Sequence, residues 1–435
     1  MKIAIIGTGI AGNLAAHRLA REHDITVFEA AKRIGGHTHT VDVDLDGQRY
    51  PVDTGFIVYN DVTYPHFAAL LDELGVASQP SDMSFSVRCE RSGLEYNGAS
   101  FNTLFAQRRN LLRPSFYRML KDILRFNREA PALLDEPGPG ISLGEYLHRG
   151  EYSSGFINHY ILPMGAAIWS ATPHGMGGVP AKFFIRFFHN HGLLSIDQRP
   201  SWRIIRGGSR EYVDKLVAGH RDRIRLNAGV QWIRRSSGSA KGAGAGQVVI
   251  KAVGSEPERY DRVFVACHSD QALALLADPT AAEQAVLGAI AYQTNEAVLH
   301  TDTQLLPRHR RAWAAWNYHL PADPGAAGGR ATLSYNMNIL QSLSAPETFC
   351  VTLNRTGAID PDRILQHIEY DHPVFDQAAV AAQQRHREIN GTGGTYYCGA
   401  YWRYGFHEDG VVSALSALKH FEADLRKPTA AVRAA

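Results

Sequence analysis

The chain has 435 residues, 45% of them hydrophobic and 20% charged, which excludes a largely disordered polypeptide and leaves apolar material for more than one core. Its 45 basic and 43 acidic side chains nearly cancel, so no global field draws it to nucleic acid or an anionic membrane, and any electrostatic targeting must be local. Four scattered cysteines, Cys89, Cys267, Cys350 and Cys398, form no Cys-x-x-Cys pair, which argues against a zinc or dithiol centre and fits a reducing, cytoplasmic compartment.

The first element, Lys2 to Ile6, reads as a buried parallel strand and lacks the long apolar region of a signal peptide. No apolar run reaches the ~18 residues of a membrane-spanning helix, so a soluble or peripheral protein is expected. Directly after the strand come Gly7-Thr8-Gly9-Ile10-Ala11-Gly12 and a helical run through Leu14, Ala15 and Leu19. Gly7 permits the tight turn, Gly9 leaves room for a pyrophosphate, and Gly12 lets helix and strand pack closely. Phosphates then sit at the helix N-terminus, near Ile10 and Ala11, where unpaired N–H groups favour anions. A second strand, Ile25 to Phe28, ends in Glu29, 22 residues after Gly7, the place for an acid that accepts from ribose hydroxyls.

Beyond Glu29 the chain reads Ala30-Ala31-Lys32-Arg33-Ile34-Gly35-Gly36-His37. Here it resembles the flavin-containing amine oxidase superfamily, which includes protoporphyrinogen oxidase and phytoene desaturase. The resemblance implies FAD, with the backbone of Gly35 and Gly36 close to its pyrophosphate. The family's arginine after the doublet is replaced by His37, which leaves Arg33 as the cationic contact. Asp53-Thr54-Gly55-Phe56 is similar to the family's early loop near the flavin ring. A bacterial branch of predicted NAD/FAD-binding proteins is similar as well, and its members look like neighbours of cyclopropane-fatty-acid synthases, which implies acyl-chain substrates.

Phe85, Val87 and Cys89 alternate with polar residues before Ser92-Gly93 and predict a hairpin. A long helical region follows, broken at Asp135 to Gly140. Within it, 104–128 carries Arg108, Arg109, Arg113, Arg118, Lys121, Arg125 and Arg128 among leucines and phenylalanines. That stretch is either a basic amphipathic helix for an anionic membrane or a solvated face over the core. Phe183, Phe184, Ile185, Phe187 and Phe188 either line an acyl tunnel or fill the core. His37 and His39, like His189 and His191, have i,i+2 spacing without a supporting Cys or carboxylate pattern, and no metal site is expected.

Arg206-Gly207-Gly208-Ser209 with the helix after it resembles the family's Gly-Gly motif. Val230 resembles the position whose backbone pairs with adenine, and Tyr260 to Ala266 the strand that follows. Ser236 to Gly246 reads as a flexible hairpin loop and the tail after Lys427 as disordered. Strand-like runs between about Ala289 and Arg355 predict an antiparallel floor under the flavin. Gly391 to Gly394 opens no helix, so a second nucleotide fingerprint for NAD(P)H is not expected. The closing segment, Tyr396 to Tyr401 followed by Gly405 to Gly410 and a helix from Val411, resembles the last FAD motif. There Gly399 meets the pyrophosphate, and the helix at Asp409, Gly410 and Val411 points its N-terminus at the flavin. Asp409 is expected to cap that helix or to bond ribityl hydroxyls through its backbone.

The resemblance implies an α/β architecture with two intertwined domains. A Rossmann-type, glutathione-reductase-like FAD domain takes 1–77, 201–280 and 391–435; an α+β substrate domain of amine-oxidase type takes 78–200 and 281–390. Flavin-facing candidates are Tyr401, Trp402, Tyr404, Phe406 and His407. The tyrosine that amine oxidases place before the final helix falls at His407 or Phe406, which speaks against an amine substrate. The expected activity is an FAD-dependent dehydrogenase, desaturase or oxidase acting on an apolar substrate such as a fatty-acyl chain, with oxygen or a quinone-like carrier as acceptor. An amine oxidase, a redox-neutral flavoenzyme and a non-catalytic flavin scaffold are the alternatives.

Overall fold

Ile3, Ala4, Ile5 and Ile6 carry no polar side chain, and such a run is stable only as a strand covered on both faces. The computed structural model, which describes residues 1–138, 140–195, 200–235, 248–323, 325 and 329–426, places Lys2–Ile6 at the centre of a five-stranded parallel sheet. The order across it is Ile224–Arg225, Asp24–Phe28, Lys2–Ile6, Arg262–Val265 and Thr395–Tyr397. Alternation along the central strand divides the covering layers. Ile3 and Ile5 face a cluster that includes Leu14 of the helix Ile10–Leu19 and Ala414 of the helix His407–Leu425. Ala4 and Ile6 face a cluster built on the antiparallel strands Val230–Arg235, Val248–Ala252 and Glu258–Tyr260.

The second sheet has seven strands in the order Ile364–Pro373, Tyr292–His300, Cys350–Leu353, Thr332–Asn336, Trp316–Leu320, Phe85–Cys89 and Leu94–Asn97. It is antiparallel apart from the pair Trp316–Leu320 with Phe85–Cys89. The hairpin at Ser92-Gly93 forms as expected, but its alternation does not separate core from solvent. Ser86 donates to Asn317 Oδ1 at 2.8 Å and Arg88 to the Gln304 and Leu306 carbonyls at 2.6 and 2.9 Å, because an interior strand is covered on both faces. The polar run Ile364–Pro373, in which Ile368 and Tyr370 alternate with charged residues, is a ten-residue sheet edge.

The basic region is not one helix from 104 to 128. It comprises a short helix Phe101–Leu104, a 3-10 turn Arg108–Leu112 and the helix Pro114–Glu129. Pro114 lacks an N–H and fixes its own φ, so it opens the helix at the first position instead of continuing one. Helices Leu143–Arg149, Leu162–Trp169 and Ala181–Asn190 close an aromatic core over the seven-stranded sheet. The expected Ser236–Gly246 loop, the tail after Lys427 and Pro139 within the Asp135–Gly140 break lie outside the described residues. No helix among the described residues is long and apolar enough to cross a membrane.

Candidate functional site

The first glycine turn contains two glycines with opposite duties. A Cβ on Gly12 would stand 2.0 Å from the Gly7 carbonyl oxygen, whereas one on Gly9 would meet nothing within 4 Å. Gly12 therefore serves packing, and Gly9 faces open space at the N-terminus of the helix Ile10–Leu19. The N–H groups of the first turn, at Ile10 and Ala11, have no acceptor inside the helix. Gly7 adopts φ +98° and donates its N–H to the Phe28 carbonyl at 2.8 Å.

Glu29 accepts from the backbone N–H and the hydroxyl of Thr8, and from the Ala31 N–H at 2.8 Å, which anchors it beside the turn while leaving carboxylate lone pairs exposed. The buried Asn13 donates to the Thr8 carbonyl at 2.6 Å, and its Oδ1 has no partner among the described residues. Open space at Gly9, free N–H groups, an orphaned acceptor and an anchored carboxylate together fit a dinucleotide with its pyrophosphate at the helix end.

Gly35 and Gly36 lie over this turn. The Gly35 N–H donates to the Thr8 carbonyl at 3.1 Å, and a Cβ on Gly36 would stand 3.0 Å from Gly9 Cα. Arg33 spends two N–H groups on the Gly36 and Thr38 carbonyls, at 2.7 and 3.0 Å, so it braces the doublet. Ala30 is close to Gly229, and the Ala228 N–H donates to the Glu29 carbonyl at 2.8 Å; these contacts set the segment leading into Val230 beside Glu29.

Gly207 and Gly208, at φ +85° and +93°, are held by Asp53. Its carboxyl accepts from the Ser209 N–H at 2.9 Å, from Ser209 Oγ at 2.7 Å and from Thr40 Oγ1 at 2.6 Å. Burial pushes the Asp53 carboxyl up to about 6. A Cβ on Gly55 would stand 2.1 Å from the His37 carbonyl oxygen, so the Thr54-Gly55-Phe56 loop is pressed against the segment after the doublet.

His37 stacks on Tyr370, ring centroids 5.0 Å apart, with His372 at 5.5 Å and His268 at 6.0 Å. Burial holds His37 well below the usual imidazole value and His39 and His372 at about 4, so the group is neutral. Tyr370 also shares a 2.9 Å hydrogen bond with Thr54 Oγ1. Neither Tyr370 nor His268 and His372 stood out in the sequence, because they come from two distant strand ends that meet only in the fold.

At the closing motif the five aromatic candidates separate. His407 is buried at the start of the final helix, its Nε2 3.0 Å from both Thr38 Oγ1 and Tyr212 Oη. Phe406 stacks on Phe187 at 5.2 Å, and Tyr404 lies 4.8 Å from Phe183. Tyr401 and Trp402 turn instead into the cluster on the other face of the parallel sheet, where Trp402 meets His386 at 4.1 Å. The Tyr401 hydroxyl is buried without a partner among the described residues.

The Asp409 carboxylate accepts from the Phe406 and Tyr404 N–H groups at 2.9 and 3.2 Å, a cap for the helix N-terminus. Burial pushes it up to about 7. The Gly399 N–H donates to Ser413 Oγ at 2.8 Å. A Cβ on Gly410 would stand 2.6 Å from Ile10 Cγ2, and Val411 is buried beside it; at that point the last helix meets the first one.

Comparison with known proteins agrees with this geometry. Residues 10–347 match the family described as flavin containing amine oxidoreductase. The fold is similar to that of cyclohexylamine oxidase from Brevibacterium oxydans IH-35A, at 15% identity and a TM-score of 0.68 over 97% of this chain and 99% of that one. It is similar to putrescine oxidase bound to putrescine, at 14% identity and 0.67 over 97% and 99%. A CLA-producing fatty acid isomerase from P. acnes gives 15% identity and 0.65 over 96% and 98%. At such identities the likeness is one of fold. No curated protein sequence matches the chain.

Proposed function

Because the chain belongs to the flavin-containing amine oxidoreductase family and is thus an FAD-dependent oxidoreductase, we propose that it oxidises an apolar substrate, an unsaturated or modified fatty-acyl chain. The observation that carries this reading is a continuous aromatic wall at the start of the final helix. Trp169 donates its Nε1–H to the Tyr404 carbonyl at 3.0 Å and packs 4.8 Å from Phe187. Phe187 continues to Phe406, and Phe183 joins Tyr404 to Phe375 at 4.8 and 5.2 Å. The titratable rings at the wall's edge, His191 and His407, are held by burial at about 4 and about 3, so neither brings charge at neutral pH. A wall of this kind offers methylene groups apolar contact along its whole length.

Bound FAD supplies the hydride acceptor, and the protein's task is to position the donor carbon and exclude water. Gly9, Ile10, Ala11, Gly12, Gly35, Gly36, Gly399 and Gly410 would hold the pyrophosphate region, Glu29, Ala30 and Val230 the adenosine end, and Thr54, Gly55 and Phe56 the ring end. Phe406 and Tyr404 would bound the acyl chain. Oxygen or a quinone-like carrier would take the electrons. A lipid partner also gives meaning to the basic stretch 104–128 as a peripheral membrane contact.

Incubation of FAD-loaded protein in air with mono-unsaturated fatty acids, their phospholipid esters and alkylamines, followed by mass spectrometry, tests the assignment. Loss of two hydrogens from an acyl chain, with peroxide formed, is the expected result. A shifted double bond at unchanged mass would assign redox-neutral isomerisation instead, and turnover confined to amines would return the site to amine oxidation.

A further inference from the structure

Of the ten large hydrophobic side chains exposed among the described residues, Phe101, Leu111, Leu112, Tyr117 and Leu124 fall in the stretch that ends with the helix Pro114–Glu129, and Leu112 is 88% exposed. They form one patch. Phe101 packs 4.8 Å from Phe105, Phe105 lies 6.1 Å from Tyr117, and the Tyr117 hydroxyl donates to the Leu111 carbonyl at 3.1 Å. On the helix, Tyr117, Lys121, Leu124 and Arg128 share the outer stripe while Phe116, Met119 and Phe126 point to the core. A helix stripe that alternates apolar tips with cations suits neither solvent nor a protein core.

The charge beside the patch is one-sided. Arg118 and Lys121 are exposed and form no ion pair among the described residues, and the nearby acids are already committed, Asp122 to the Ser153 N–H and Arg125, Glu129 to Arg128. Next to the 3-10 turn Arg108–Leu112 opens a cavity of about 780 Å³ lined by Arg88, Arg108, Arg109 and Arg308. Glu90 and Glu95 also line it, 3.5 and 4.0 Å from Arg88, and Arg108 and Arg109 spend N–H groups on the Phe105 and Gly93 carbonyls, so Arg308 is the lining arginine whose guanidinium has no partner among the described residues. Arg108 and Arg109 line the cavity and share the 3-10 turn with the exposed Leu111 and Leu112.

We propose that this face docks on an anionic phospholipid bilayer, with Phe101, Leu111, Leu112 and Leu124 inserted at the headgroup–acyl boundary and the arginine-lined cavity receiving one lipid phosphate. Charge complementarity and exposed apolar tips on the same stripe select a lipid surface over a nucleic acid, which would match the cations but not the leucines. The inference does not depend on which reaction the flavin performs, since docking is read without turnover.

Co-sedimentation of FAD-loaded protein with vesicles of phosphatidylcholine alone and with added phosphatidylglycerol tests it. Binding is expected only to the anionic vesicles and to fall with added salt. Leu112→Asp with Leu124→Asp should weaken it about tenfold or more, as should Arg118→Glu with Lys121→Glu, each variant keeping the wild-type FAD content and melting temperature. Arg308→Glu should weaken the preference for phosphatidylglycerol, and inorganic phosphate should displace the wild-type protein from the vesicles better than sodium chloride of equal ionic strength, an advantage that Arg308→Glu should abolish. No binding to anionic vesicles, or binding untouched by the leucine substitutions, would overturn the proposal. Equally tight binding to duplex DNA, insensitive to those substitutions, would overturn it as well.

Discussion

His407 lies flat against Phe56, ring centroids 3.5 Å apart and planes inclined by 16°, which ties the first residue of the final helix to the end of the Thr54-Gly55-Phe56 loop. With Nε2 facing Thr38 and Tyr212 and its pKa pressed by burial to about 3, His407 stays a neutral spacer throughout the physiological range. His407→Phe should preserve the stack, destabilise by about 1–2 kcal/mol through the lost hydrogen bonds, and leave the pH profile of turnover between 5 and 8 unchanged. Thermal melting and steady-state rates check both parts.

Gly9 and Gly12 make opposite predictions from the same motif. Gly9→Val places its side chain in open space, so the protein should fold with a melting temperature near that of FAD-stripped wild type but purify with little or no FAD. Gly12→Ala drives a Cβ onto the Gly7 carbonyl and should lower stability by about 1–3 kcal/mol, with flavin loss following from that. Absorbance for bound flavin beside a melting curve separates the two effects.

Asp409 makes stability depend on pH. Its folded-state pKa of about 7 lies above the roughly 4 of an unfolded aspartate, so the protonated carboxyl is the stabilising form. That contribution is complete below about pH 4 and is lost as pH rises through about 7. The buried histidines, half protonated at about pH 6.5 in the unfolded chain and neutral in the fold, raise stability with pH in wild type and variant alike. The melting temperature of the wild type relative to that of Asp409→Asn, which can still accept from Phe406 and Tyr404, should therefore fall as pH rises from about 5 to about 8.

Glu283 is fully buried and accepts from Arg235 at 2.9 Å and from Tyr397 Oη at 2.6 Å. Glu283→Ala would leave the Arg235 guanidinium charged and short of partners behind the parallel sheet. A loss of about 3–5 kcal/mol in urea unfolding is expected, with flavin chemistry unchanged in whatever protein folds.

The parts of the site legible in the sequence are those whose reason is local. Gly7, Gly9, Gly12 and Glu29 follow one strand, one turn and the next strand, and the fold brings them together at the start of the helix Ile10–Leu19. Pro114 is a local signal too, since proline favours a first helical position, but the expectation of one basic stretch over 104–128 makes no use of it. Other parts have no local signature. The partners His407 and Tyr212 are 195 residues apart, and although Ile368 and Tyr370 alternate with charged residues, nothing local in the edge strand Ile364–Pro373 says that it pairs with Tyr292–His300. Tyr401 and Trp402 share a segment with Phe406, yet the turn at Gly405, φ +93°, sends them to opposite faces of the sheet, which no periodicity announces.

The most direct test of the account is the visible absorbance of the purified protein before and after anaerobic addition of a total lipid extract. FAD held by the Gly7–Gly12 turn and served by the Phe187–Phe406 wall predicts a flavin spectrum that bleaches when lipid is added and returns on admitting air. A flavin spectrum indifferent to lipid but bleached by an alkylamine would contradict the acyl-chain reading.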